Sequence, residues 1–331
     1  MTKTNSPTTG SALYNHSITA CYVLSADSDG LYGVLTLASA LSVKLSNPDI
    51  FISILIDSKS RPHFKSLLPS LSKLADSLKY VSTPDGTAIF RNRWIKTQLV
   101  KYTTGPTIFL DSDTIVRKSI GDLLPSVEYF GAVPNHNCNS PKTQLWDDDA
   151  KELERLGWST SCDFYPNGGV FFFKKKQHVT NLFDSWHTKW LENINKTGRT
   201  RDQPSLYSAL TEADMPITLL PHEYNYQDVH FQGPSNRSKI VHYYGNYSSL
   251  DNPLGKFINL HKYIDLLKFE GVYLKIIKDQ NKWPNNDIMA RIMRKYFRDK
   301  PFSILWSCNF RLKSAILLLT KCFNKILKPN A

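Results

Sequence analysis

Several features that would classify a chain quickly are missing here. The five cysteines (Cys21, Cys138, Cys162, Cys308, Cys322) are scattered, odd in number and never spaced as CxxC. That pattern excludes a disulfide framework and a cysteine-based zinc site, and it points to a reducing compartment. No stretch of about 18 uncharged apolar residues occurs, so no transmembrane helix is expected. The opening MTKTNSPTTGSALYNHS has no apolar core of the kind a secretory signal needs, and 1–16 read as a disordered tail. Repeats of fixed period are also lacking, which removes solenoids and propellers. Acidic residues are few: 29 against 41 basic ones, a net charge of +12. Yet from Arg291 onward ten basic residues face Asp299 alone, a net of +9, so the first 290 residues are almost neutral. A nucleic-acid enzyme needs cations along its whole cleft, and a stacking motif for RNA is absent as well, so no nucleic-acid partner is expected.

Hydrophobic residues, at 41% of the 331, are enough to fill a core. Single cores seldom exceed roughly 250–300 residues, which allows one large domain with an appendage. From Ile18 the run ITACYVLSA reads as a buried strand, broken at DSDG before a helical pattern through Val34, Ala38, Leu41 and Leu45. IFISILID, from Ile50 to Asp57, is a second strand, followed by helical character up to about Leu78. Strand, helix, strand reads as βαβ units on a parallel sheet. Further strands are predicted at Tyr80–Ser82, Thr107–Leu110, Tyr129–Val133, Gly169–Phe173, Ile217–Leu220 and Ile240–Tyr243. Helices are predicted at Arg93–Tyr102, Asp149–Leu156, Val179–Leu191 and Gln203–Leu210. Beyond Leu260 the chain reads as helical and increasingly basic, with breaks at Pro284 and Pro301. The expected organisation is the tail 1–16, a catalytic domain 17–281 and a basic, amphipathic helical region 282–331.

In TIFLDSDTIV an apolar strand runs directly into Asp111 and Asp113. Two carboxylates one residue apart at a strand end point the same way and can share one Mg²⁺ or Mn²⁺. The alternative is an Asx turn or a helix cap. Downstream, YPNGGVFFF places Asn167, Gly168 and Gly169 ahead of a buried strand, where small residues permit close backbone approach to a ligand. RTRDQPSLYSAL then sets Asp202 and Gln203 at a helix start, and IVHYYGNYSS sets His242 at a strand end with Gly245 after it.

These pieces, in this order, resemble the retaining GT-A glycosyltransferases of the glycogenin and lipopolysaccharide galactosyltransferase type, glycosyltransferase family 8. The resemblance covers roughly Thr19 to Leu250. It implies an α/β GT-A nucleotide-diphospho-sugar transferase fold, a Rossmann-like mixed sheet flanked by helices, here with a basic helical C-terminal extension. It further implies that Ser25, Asp27 and Tyr32 hold the base and ribose; for Asp27 a turn-forming role in DSDG is the competing reading. Asp111, Asp113 and His242 correspond to the ligands of Mn²⁺ (or Mg²⁺), with Ser112 between the first two and Gly245 beside the diphosphate. Arg93, or alternatively Lys96, matches the basic residue near the donor sugar, and Asn167 and Gly168 match positions beside that sugar. Asp202 matches the aspartate that binds sugar hydroxyls, and Gln203 the glutamine close to the anomeric carbon. One departure stands out: the family's HxxGxxKPW has a lysine where this chain has Ser248, and Lys256 is a substitute for that cation.

The resemblance thus implies a metal-dependent hexosyltransferase that takes glucose or galactose from a UDP-sugar to a glycan, glycolipid or protein acceptor. The alternative is a non-catalytic sugar-nucleotide-binding or scaffold protein of the same fold. Three other features carry expectations. The acidic run Trp146–Asp149 reads as a helix start complementing the dipole rather than as a second metal site. Trp186 and Trp190, four apart on a helix, read as core, whereas Tyr224 and Asn225 in LPHEYNYQ resemble an acceptor-side loop. Finally, 303–328 carries the pattern of an interfacial helix on an anionic membrane, the competing reading being a terminal helix docked on the catalytic domain. Related bacterial transferases carry similar C-termini, which implies a cytoplasmic, peripherally attached protein.

Overall fold

The first apolar run forms β1 (Thr19–Leu24), and the N-terminal half is built of βαβ units as its pattern predicts. The computed structural model describes residues 18–28, 30–135, 145, 147–161, 164–227 and 237–243. The chain divides into two units, Met1–Lys282 and Trp283–Ala331, and every described residue belongs to the first. The expected tail 1–16, the region 282–331 with its interfacial segment, Gly245, Ser248 and Lys256 all lie outside the described residues. Among those described, no helix is long and apolar enough to cross a membrane.

After β1 come α1 (Leu31–Ser46), β2 (Phe51–Asp57), a 3-10 turn at Ser58–Phe64, α2 (Leu68–Leu74) and β3 (Ser77–Val81). The chain continues with α3 (Ala88–Lys96), α4 (Leu99–Tyr102), β4 (Thr107–Leu110), β5 (Thr114–Val116), α5 (Leu123–Ser126) and β6 (Phe130–Pro134). There follow α6 (Asp147–Leu156), β7 (Pro166–Phe173), α7 (Gln177–Thr197), α8 (Gln203–Thr211), β8 (Ile217–Leu219), a 3-10 turn at His222–Tyr224, β9 (Tyr226–Gln227) and β10 (Ile240–His242).

The main sheet has the order β3-β2-β1-β4-β7-β6-β8. All neighbours pair in parallel except β7, which is antiparallel to both β4 and β6. Because side chains alternate across a strand, the sheet divides the interior in two. Ala20, Tyr22, Leu24, Ile52, Ile54, Ile56, Ile108 and Leu110 face one core with α1 and α2. Cys21, Val23, Leu55, Phe109, Phe171 and Phe173 face the other with α7 and α8, where Trp186 is fully buried, as its helical spacing predicts. A second sheet, β5-β10-β9, adds Ile115, Val116, Ile240 and Val241 to the first core.

Differences from the sequence reading have local causes. The single helix predicted at Arg93–Tyr102 is two, α3 ending at Lys96 and α4 starting at Leu99, with the Thr97 hydroxyl donating to the Arg93 carbonyl (2.9 Å) at the junction. β7 starts at Pro166, three residues early, so Asn167 and both glycines lie within the strand. α7 runs on to Gly198, whose φ of 71° supplies the left-handed residue that ends it.

Candidate active site

The order of the sheet reverses at β1: β2 lies on one side of it and β4, reached later in the chain, on the other. Ligands of open α/β sheets bind outside the carboxyl ends of the strands at such a reversal. Ser25 and Asp111 follow β1 and β4 there. The Asp111–Thr114 turn is set by a polar row on α1, whose members recur every three residues and so share a face. Thr36 donates to the Ser112 hydroxyl (2.8 Å), Ser39 bonds Thr114 Oγ1 (2.8 Å), and Ser42 Oγ accepts from the Val116 amide (2.9 Å). Hence the Ser112 hydroxyl oxygen is held on α1, between the two carboxylates.

Asp111 and Asp113, from one turn, meet His242 from a segment about 130 residues further on, and their ligand atoms all lie within 4.8 Å of one another. His242 Nε2 is 3.2 Å from Asp113 Oδ1, and its Nδ1 is 3.2 Å from Asn225 Oδ1. An amide oxygen only accepts, so Nδ1 carries a hydrogen for Asn225, and Nε2 is the ring nitrogen that faces Asp113 and the cluster. Without a cation, burial would lower the imidazole pKa, but the Asp113 carboxylate outweighs it and raises the value. Burial, joined by Asp113, raises Asp111, against the opposing pull of Lys96 and Arg93.

Behind the cluster runs a chain of amides that the sequence does not reveal. Asn225 Nδ2 donates to Asn167 Oδ1 (2.9 Å), which also accepts from the Gly169 amide (2.9 Å), and Asn167 Nδ2 donates to Asn135 Oδ1 (3.0 Å). Asn225 is fully buried and the Tyr224 hydroxyl accepts from Lys239 (2.9 Å). The acceptor-side expectation for this pair is therefore corrected: both are interior, and Asn225 orients His242.

Gly169 shows how tight the arrangement is. A Cβ there would lie 2.2 Å from His242 Cε1, 2.8 Å from Asp111 Oδ2 and 3.0 Å from Asn167 Oδ1. Gly169→Ala is expected to displace His242 and Asp111, destabilise the fold by about 1–3 kcal/mol and weaken Mn²⁺ binding by an order of magnitude or more. Calorimetric Mn²⁺ titration alongside denaturant unfolding would check both.

Next to the cluster, Asp202 lies between two cations. Its Oδ1 is 2.9 Å from Arg93 Nε and its Oδ2 is 2.9 Å from Lys96 Nζ, while Lys96 also stands 3.8 Å from Asp111. Burial would raise the Asp202 pKa, but Arg93 and Lys96 overcome it and hold the carboxyl below its ordinary value. Thus the two residues between which the sequence leaves a choice, Arg93 and Lys96, both reach Asp202. Gln203 Oε1 accepts from the Gly168 amide at 3.3 Å.

At the end of β1, Asp27 accepts from the Ala88 amide (2.6 Å) and pairs with Arg91 (2.9 Å), tying the turn after β1 to the start of α3. Arg91 is anchored in turn on buried Asp57 (2.6 Å). Tyr32, 49% exposed in the first turn of α1, lies within electrostatic reach of Arg93. The Ser25 hydroxyl is buried and has no partner among the described residues.

No protein-family profile matches the sequence, and a search of curated proteins returns no match. Solved structures do match in fold. The galactosyltransferase LgtC, in complex with donor and acceptor sugar analogues, is 14% identical and superposes with a TM-score of 0.50, covering 76% of this chain and 99% of that one. An active-site mutant of LgtC gives 0.52 at the same identity and coverage. The bifunctional glycosyltransferase WbbM is 17% identical with a TM-score of 0.50, over 75% of this chain but only 50% of its own length. At such identities the likeness establishes architecture: the chain has the GT-A fold of these enzymes, a seven-stranded mixed sheet flanked by helices.

Proposed function

We propose that a protein with this GT-A fold and this site is a divalent-metal-dependent, retaining glycosyltransferase that moves a hexose from a UDP-sugar to a glycan, glycolipid or protein acceptor. One observation carries the proposal: the Asp111–Asp113 turn and His242 converge from two distant segments to within 4.8 Å, beside an Asp202 gripped by two cations. The donor set fits a divalent ion, with two hard carboxylates and one neutral imidazole, and the missing side chain at Gly169 lets His242 and Asp111 close in where a Cβ would stand. Bound there, an ion of the Mn²⁺ or Mg²⁺ type supplies charge neutralisation for a departing diphosphate.

The chain's own groups do the rest. Ser25 offers to the nucleotide a buried hydroxyl that has no partner among the described residues. Asp202, kept ionised by Arg93 and Lys96, accepts hydrogen bonds from sugar hydroxyls. Gln203 turns its amide toward the reacting face, its oxygen fixed on Gly168. An amide is too weak a nucleophile to form the covalent intermediate of double displacement. Retention then follows from attack by the acceptor hydroxyl on the face the phosphate leaves, with Gln203 positioning and polarising.

The test is UDP release from UDP-glucose and UDP-galactose, with Mn²⁺ and with EDTA. Turnover that requires Mn²⁺ is expected; tight UDP binding with no turnover of either donor would identify a sugar-nucleotide-binding scaffold instead.

A further inference from the structure

The segment that presents Asp202 and Gln203 is gripped from two sides by groups the roles above leave unused. Three successive carbonyls are each taken by a side chain of α7: Trp190 Nε1 donates to Thr200 (3.1 Å), Asn193 Nδ2 to Arg201 (3.4 Å) and Trp186 Nε1 to Asp202 (3.0 Å). These donors are four and three residues apart, on one face of the helix. From the other side α6 offers Asp149 and Glu152, also three apart, and both are buried to within 1%. Asp149 pairs with Arg201, and Glu152 with Arg199 at 3.0 Å while accepting from Asn193 at 2.6 Å. The fully buried Tyr165 packs its ring on Tyr207 of α8 (centroids 5.3 Å apart), which sets its phenol within electrostatic range of the Asp149 carboxylate and the Gln203 side chain.

The acidic start of α6 therefore does more than complement a helix dipole. Asp147 and Asp148 stay exposed and suffice for that role. Burying two further carboxylates is costly unless each is paired, and what pairs them is the loop carrying the donor-sugar residues.

We propose that α6 is a positioning element for the transfer step: Asp149 through Arg201, and Tyr165 through Gln203, fix the angle at which Asp202 and Gln203 meet the donor sugar. The proposal rests on the transferase reading given above. A reacting group misplaced by about 1 Å can lose roughly a hundredfold in rate with little change in binding, which separates positioning from general support.

Two variants test it. Tyr165→Phe removes one oxygen and no charge; the double variant Asp149→Asn with Arg201→Gln replaces the ion pair by two neutral amides. With whichever of UDP-glucose and UDP-galactose the wild type turns over in Mn²⁺, each variant is expected to lose ten- to a hundredfold in kcat. Donor KM and the Kd of UDP are expected to stay within threefold. A kcat within threefold of wild type in both variants, or parallel losses in kcat, KM and UDP affinity, would overturn the proposal. Amide exchange over 199–206 gives a readout that needs no donor: at least tenfold faster exchange is expected in the double variant, with β1 and β4 unchanged. Unaltered exchange in 199–206 overturns the clamp whatever the activity, whereas a wild type that turns over neither donor counts against the transferase reading alone.

Discussion

Asp113→Ala is expected to reduce Mn²⁺-dependent UDP-sugar turnover by roughly three orders of magnitude or more, as the loss of a ligand to a charge-neutralising ion would. The fold should survive. Asp113 takes part in the fold through its backbone, whose carbonyl accepts from the Tyr243 amide at 3.0 Å, and that bond remains in the variant. Its carboxylate serves the cluster, 3.2 Å from His242 Nε2. The measurement is turnover together with thermal unfolding and Mn²⁺ affinity: an unchanged melting midpoint with metal binding and turnover both lost is the expected combination. Full turnover in metal-replete buffer would remove Asp113 from the site.

A second large effect, of a different kind, is expected for Asp202→Asn. The variant keeps the shape of the side chain but removes the nearer of the two carboxylates that face Lys96 and Arg93, leaving buried Lys96 without its 2.9 Å partner and with Asp111 at 3.8 Å. Breaking a buried pair by removing one member costs about 3–5 kcal/mol, and turnover should fall with it as the sugar hydroxyls lose their acceptor. The sign of the pH dependence follows from the depressed carboxyl pKa. Its contribution is fully present above the unfolded value of about 3.9 and is lost as pH falls through the lower folded value. The stability gap between wild type and variant, measured by denaturant unfolding, should therefore be constant from about pH 7 to pH 5 and narrow progressively below pH 4. A gap that widened on acidification would contradict the assignment of Asp202 as an ionised partner of the two cations.

Much of this site is legible in the amino-acid sequence. TIFL followed by Asp111 and Asp113 is a short apolar run ending in two carboxylates, and the run alone marks where the strand stops. Asn167–Gly168–Gly169 signals a close approach, and the 2.2 Å from a notional Gly169 Cβ to His242 gives the reason. What stays hidden depends on partners distant along the chain. Nothing local marks Asn225 as the residue that orients His242, or Asn135 as the end of the amide chain. Asp27 reads equally well as a turn former or a ligand, because its partner Arg91 lies 64 residues away. The carboxylates of α6 look like dipole complements because burial, which separates Asp149 from Asp147, is a tertiary property. β5 and β9, of three and two residues, are too short to show a period.

The central claim, that Asp111, Asp113 and His242 form one metal site serving a sugar-nucleotide donor, is tested most directly by a crystal structure of the protein with Mn²⁺ and UDP. The account predicts a single ion ligated by those three side chains and by the diphosphate, with the nucleoside lying toward Ser25 and Asp27. UDP bound elsewhere, or bound at the ends of β1 and β4 with Mn²⁺ present and no ion among the three residues, would contradict it.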